Sequence, residues 1–125
     1  MSDPAARATS DLIVLALDEL VQLVIDAGVV CTRDPGEFQP PGAIVAAPTI
    51  SGAATMQSIA ISVPVYIVSD QPGGAAGLEW MLEAVALLLP VFGETSATPA
   101  QWVSPINPAG LPAYLITATL NVSTS

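Results

Sequence analysis

Side chains able to do chemistry are scarce in this chain. Lys and His are absent, and Arg7 and Arg33 are the only basic residues. Against them stand 11 Asp and Glu residues, for a formal net charge of -9. Glu79 and Glu83 are spaced to share one face of a helix, as paired carboxylates must for general acid/base work. No convergent polar group accompanies them, so the pair reads as a solvated face. Asp34, Glu37 and Asp70 carry the oxygen donors that Mg²⁺ or Ca²⁺ take, but their spacing fits no cation loop. Gly73-Gly74-Ala75-Ala76-Gly77 precedes a helix in the manner of an anion cradle. It has neither a lysine nor an acidic ribose partner at the expected distance, and so acidic a chain repels phosphate.

Inventory removes further classes. With no His and a single cysteine, Cys31, one chain cannot assemble a Cys/His zinc site, a Ser-His-Asp triad or a Cys-His pair. It cannot close an internal disulfide either, which argues against a stapled secreted fold. Two arginines are too few for a phosphate-contacting surface, so direct nucleic-acid binding is not expected. The expectation is a protein with no catalytic, metal or cofactor site.

At 125 residues the chain suits one domain, and hydrophobic residues make up 52 % of it while charged residues make up 10 %. An average soluble domain carries about 25 % charged residues. So apolar a chain is not intrinsically disordered. A membrane-crossing helix needs ~20 apolar residues in a row. Leu12–Leu17 is broken by Asp18 and Glu19, and Ala84–Phe92 by Pro90, so neither is expected to span a bilayer. The remaining explanation for so oily an outside is burial against other copies, because obligate interfaces resemble a domain core cut in half.

Periodicity assigns the elements. Residues 1–10 lack the pattern of a signal peptide and read as a short flexible lead, with one domain over 11–125. Ser10 reads as the N-cap of a first helix whose apolar residues, from Leu12 to Ala27, recur with period 3.6. Asp11, Asp18, Glu19, Gln22 and Asp26 share the rest of its surface, and Gly28 follows as the C′ residue. Val29–Thr32 and Ala43–Ala47 read as short strands around a proline-rich connection, and Thr49–Thr55 as a loop or hairpin tip. Met56–Ser69 is the clearest strand, with Ile59, Ile61, Val63, Val65 and Ile67 on one side. Pro64 cannot donate a ladder hydrogen bond, so an edge strand or a bulge is expected there. A second helix follows over Ala75–Leu89, its buried stripe expected at Leu78, Met81, Leu82, Val85 and Leu89, with Pro90 stopping it. Gln101–Ser104 and Leu111–Ser123 complete the strands. The predicted fold class is α+β, a mixed or antiparallel sheet with both helices packed on one face. Candidate interface residues are Arg33, as a cation able to pair with a neighbour's carboxylate, Pro64 and Tyr66 on the long strand, Asp70 in the following connection, and Trp102.

Four stretches, in this order and spacing, resemble the tail terminator (minor tail) proteins of long-tailed bacteriophages, in particular those infecting actinobacteria. They are Asp34-Pro35-Gly36-Glu37-Phe38-Gln39-Pro40-Pro41-Gly42, Val63-Pro64-Val65-Tyr66-Ile67-Val68, Pro72 to Leu82 opening the second helix, and Leu111 to Thr117 in the last strand. Together they cover most of the chain after residue 10. The resemblance implies an α+β virion subunit that forms a hexameric ring at the head-proximal end of the tail. Such a ring caps the tube, ends polymerisation of the major tail tube protein and offers a docking surface to the head-side connector or head completion protein. DNA passes through its lumen without specific binding, and no cofactor or membrane is involved. A head–tail connector or stopper subunit is the nearest alternative. A small ligand-binding domain is a more distant one, since it needs a pocket of convergent polar groups.

Overall fold

The computed structural model describes residues 4–51, 58–70, 74–104 and 108–123. Helix α1 spans Pro4–Asp26 and α2 spans Ala75–Phe92. The strands are β1 (Cys31–Thr32), β2 (Gly42–Val45), β3 (Thr49–Ser51), β4 (Ser58–Val68), β5 (Thr98–Trp102) and β6 (Leu111–Ser123). They form one six-stranded mixed sheet in the order β1-β2-β4-β6-β5, with β3 also paired to β4. Only the β1–β2 pair is parallel. The fold is therefore α+β, as the periodicity predicts.

The alternation of β4 decides where the core lies. Ile61, Val63, Val65 and Ile67 are fully buried on one face of the sheet, joined there by Ile116, Ala118 and Val122 of β6. Both helices cover this face, α1 through Leu17, Leu20 and Val24 and α2 through Met81, Ala84, Val85 and Leu88. Burying each Val, Leu, Ile or Met side chain of this set is worth ~1.5–3 kcal/mol against leaving it in water.

Pro64 is not on an edge. β4 lies in the interior of the sheet, paired to β6 along its whole length and to β2 and β3 on its other side. The missing N–H is accommodated by a break in the neighbouring strand. Between the Val45↔Val65 and Thr49↔Ser62 pairs, the three residues Ala46–Pro48 oppose Val63 and Pro64. The extra residue is a bulge carried by the neighbour. The Pro64 carbonyl still accepts from the Ala46 N–H at 2.9 Å. Hence Pro64 turns its donor-less side toward the one place where no donor is required. The β4–β6 register runs through Pro64↔Thr117 without a shift. Beyond the bulge, Thr49–Ser51 forms β3 rather than a loop.

Helix limits also differ from the expected ones. α1 begins at Pro4 rather than at a Ser10 cap, so residues 4–10 are helical and not a lead. Proline at a first helical position costs no hydrogen bond, and the Ala5, Ala6, Arg7, Ala8 run favours helix. Residues 1–3 lie outside the described ones. At the other end Gly28 has φ 103°, with its N–H donating to Ile25 O and the Val29 N–H to Val24 O. That is the paired C-terminal hydrogen-bond motif expected for a glycine at C′. α2 runs through Pro90, which sits in the last turn, and stops at Gly93 with φ 68°. There the Gly93 N–H donates to Pro90 O and the Glu94 N–H to Leu89 O.

The buried face of α2 is rotated from the expected stripe. Gly77, Met81, Ala84, Val85 and Leu88 face the sheet, whereas Leu78 and Leu82 are exposed and Leu89 is half-buried. Small residues, Gly77 and Ala84, lie on the inner side, where they let the helix approach the strands. β5 covers Thr98–Trp102, starting earlier than the expected Gln101.

Gly93→Ala tests the helix stop. No atom lies within 4 Å of the added Cβ, so the cost is the left-handed backbone alone. The expected loss is ~1–2 kcal/mol, read as a lowered thermal midpoint with unchanged far-UV dichroism.

Candidate functional site

The second face of the sheet carries a small cluster of its own. Ile44, Val68, Leu111 and Ala113 are buried there, roofed by Phe38, Tyr66 and Trp102. Register puts the roof together: Tyr66 lies opposite Ile44 and Leu115, and Trp102 opposite Leu111. The Tyr66 and Trp102 ring centroids are 5.4 Å apart, and Phe38 meets Trp102 edge-on at 5.9 Å and 84°. Contacts of this geometry add ~0.5–1.5 kcal/mol to the area they bury. Phe38 comes from the β1–β2 connection and lies over Gly42. A Cβ on Gly42 would stand 3.1 Å from Val30 O and 3.4 Å from the Phe38 ring. Tyr66 and Trp102, read from the sequence as interface candidates, thus come together, but as partners of each other and of Phe38. Phe38 had no periodic signal, since it belongs to a loop.

Beside this roof runs an open groove of about 480 Å³ bounded by Leu17, Arg33, Pro35, Ile44, Pro48 and Trp102. Its walls are mostly apolar, and Arg33 is the only charged group on them. Arg33 Nε donates to Asp18 Oδ1 on α1, and both side chains are about half exposed. Arg33, expected as a cation for a neighbour's carboxylate, makes an ion pair within its own chain. The turn that follows closes on itself. Asp34 N–H donates to Thr32 Oγ1, and Asp34 Oδ1 accepts from the Gly36 N–H at 2.9 Å.

The remaining candidates are dispersed. Pro64 lies on the second sheet face beyond the aromatic roof, and Asp70 is exposed just past β4. Glu79 and Glu83 are exposed on α2. Gly73 of the glycine run lies outside the described residues, and Gly74 is the N-cap of α2 without a side-chain cap. Among the described residues, no three His, Cys, Asp or Glu side chains come close enough to hold a metal ion. Cys31 is buried beneath α1, and loss of water pushes its thiol from 9.0 up to about 12. Nucleophilic chemistry requires the thiolate, so this thiol is inert at neutral pH.

What the structure does present is apolar surface on the outer side of the helix layer. Val14, Leu15, Leu23 and Ile25 are exposed on α1, and Leu78, Leu82, Leu87 and Val91 on α2. With 18 residues and a mean hydropathy of 1.6, α2 is long and apolar enough to cross a membrane by length and composition. The sequence reading stopped this segment at Pro90 and so missed its full length. In the fold its inner face packs on the sheet and its outer face carries Glu79 and Glu83 among the leucines.

Comparison with protein-family models, with curated proteins and with solved structures finds no match.

Two outcomes follow from this geometry. Arg33→Ala is expected to change stability by less than ~1 kcal/mol, since an exposed ion pair is weak, and to leave the oligomeric state unaltered. Light scattering and a denaturant titration check both. Cys31 is expected to resist a thiol reagent at pH 8 in buffer and to react at once in denaturant. Because burial holds the folded thiol above its ordinary value of 9.0, at about 12, stability is full below pH 9 and falls as pH rises from 9 toward 12.

Proposed function

We propose that this chain is a structural assembly subunit, the tail terminator of a long-tailed bacteriophage. In this reading six copies close into a ring on the finished tail tube, end its growth and present a surface to the head-side connector. The observation that carries the reading is the exposure, among the described residues, of eleven large apolar side chains in a chain with so few charges. Such a surface is costly in water and favours association with other protein. The order of the four sequence stretches supplies the kind of assembly.

The exposed apolar side chains of the described residues support this reading, since a terminator works by shape and contact. Its acidity suits a conduit for DNA. A wall without clustered Arg or Lys releases no condensed counterions and so does not grip the passing duplex. Each subunit of a ring hides two different patches, which is consistent with apolar surface on more than one side.

Native mass measurement and negative-stain electron microscopy of the purified chain are expected to show closed rings. Substoichiometric protein is expected to halt growth of tubes from the major tail tube protein. A single-copy species at millimolar concentration overturns the reading. Rings that bind a portal-side connector but leave tube growth unchanged assign the chain to the connector or stopper class instead. Salt is a further check. Copies of charge -9 repel each other, so association is expected to strengthen as the Debye length falls from ~30 Å at 0.01 M to ~3 Å at 1 M.

A further inference from the structure

A second groove runs along one flank of α2. It consists of two hollows that share Pro41 and Trp80. The larger, about 370 Å³, is walled by Val29, Val30, Trp80 and Leu87 and holds Glu83. The smaller, about 180 Å³, is bounded by Ala76, Gly77 and Trp80 and holds Asp70. The fold sets both walls. Ala76, Trp80, Glu83 and Leu87 share one side of α2 because they follow at helical spacings of three or four. Across from them the Val30 carbonyl accepts from the Ala43 N–H at 2.8 Å, and the Val29 N–H donates to Val24 O at 3.2 Å. Val30 is 74 % exposed, the highest value among the exposed large apolar side chains of the described residues. Each hollow therefore joins an apolar wall to a carboxylate. Among the described residues no Lys or Arg lines either hollow, and neither Asp70 nor Glu83 has an ion-pair partner.

We infer that this groove takes an extended segment of another protein, one that carries Lys or Arg three residues apart with apolar residues between them. Charge and spacing select this occupant. The hollows follow one another along α2, one beside residues 76–80 and the other beside 80–87. At ~1.5 Å per residue their middles lie roughly 9 Å apart. A polyproline II segment returns to the same side every third residue, after about 9 Å. Two cations so spaced meet Asp70 and Glu83, while the residues between them cover Pro41, Trp80 and Val30. The half-buried Trp80 ring suits a cationic neighbour too, since its π-face attracts guanidinium and ammonium groups. A second copy cannot supply the segment, because Lys is absent and the two arginines, Arg7 and Arg33, lie far apart in the sequence. Nucleic acid and anionic lipid are repelled by the carboxylates that attract a basic segment. The inference stands apart from the ring reading; within that reading the tube or the connector supplies the segment.

The probe is the capped peptide Pro-Arg-Pro-Leu-Arg-Pro, titrated into the full chain labelled with ¹⁵N at its indoles. It is expected to move the Trp80 Nε1–H resonance and to leave that of Trp102, which belongs to the aromatic cluster on the other face of the sheet. Glu83→Gln and Asp70→Asn are each expected to weaken binding about fivefold. Glu19→Gln, the same change of charge on the exposed surface of α1, is expected to leave binding unchanged. A peptide of the same composition with its arginines adjacent is expected to bind more weakly. An unmoved Trp80 resonance, an equal loss in Glu19→Gln or equal binding of the adjacent-arginine peptide overturns the inference. So does a Val30→Asp variant that breaks up oligomers of a chain to which the peptide does not bind, because the groove then belongs to a second copy. Peptide binding by a chain that stays single-copy keeps the groove and loses the ring reading, and rings that do not bind the peptide do the reverse.

Discussion

The β4–β6 ladder is the interaction on which the rest of this molecule depends. Ser58–Val68 pairs with Ala113–Ser123 residue for residue, without a register shift. Because side chains alternate with period two, that single register places Ile61, Val63, Val65 and Ile67 beside Ile116, Ala118 and Val122 on one face. A slip by one residue would turn every one of those side chains into water and bring the serines and threonines inside. The helices then have one apolar surface to cover, and the smaller strands have two sides of one ladder to join. Pro64 is tolerated in the middle of it because its donor-less side faces the bulge at Ala46–Pro48.

The two faces of the sheet solve different problems. The helix-covered face holds the main core. The other face is small and weakly polar over most of its length, except where Phe38, Tyr66 and Trp102 close over Ile44, Val68, Leu111 and Ala113. That cluster ties the β1–β2 connection to the β5 edge, and a side chain at Gly42 would crowd Val30 O and the Phe38 ring. Tyr66 and Trp102, read from the sequence as interface candidates, are members of this cluster.

Charge and oil are distributed in opposite senses to those of an ordinary soluble domain. Acidic residues sit on helices that also expose leucines, while the strands are neutral throughout. The helix layer holds Leu78, Leu82, Leu87 and Val91 exposed on its outer side. The proposed ring gives the chain two kinds of contact, one among copies and one with the tube or the connector.

The sequence by itself determined the α+β class, the inward face of β4, the glycine end of α1 and the absence of Lys and His. Each of these depends on local periodicity, on one residue's backbone freedom or on bare inventory. Only the tertiary structure decided that Pro64 lies in an interior strand, that α2 turns Gly77 and Ala84 inward and Leu78 and Leu82 outward, and that Arg33 pairs with Asp18. It also decided that Phe38 joins the aromatic cluster. These features depend on what stands opposite a residue across the sheet or beneath a helix. An apolar stripe wide enough to surround most of α2 does not say which side faces the strands, because leucines fit either side and only packing against the sheet selects the side of Gly77, Met81, Ala84, Val85 and Leu88.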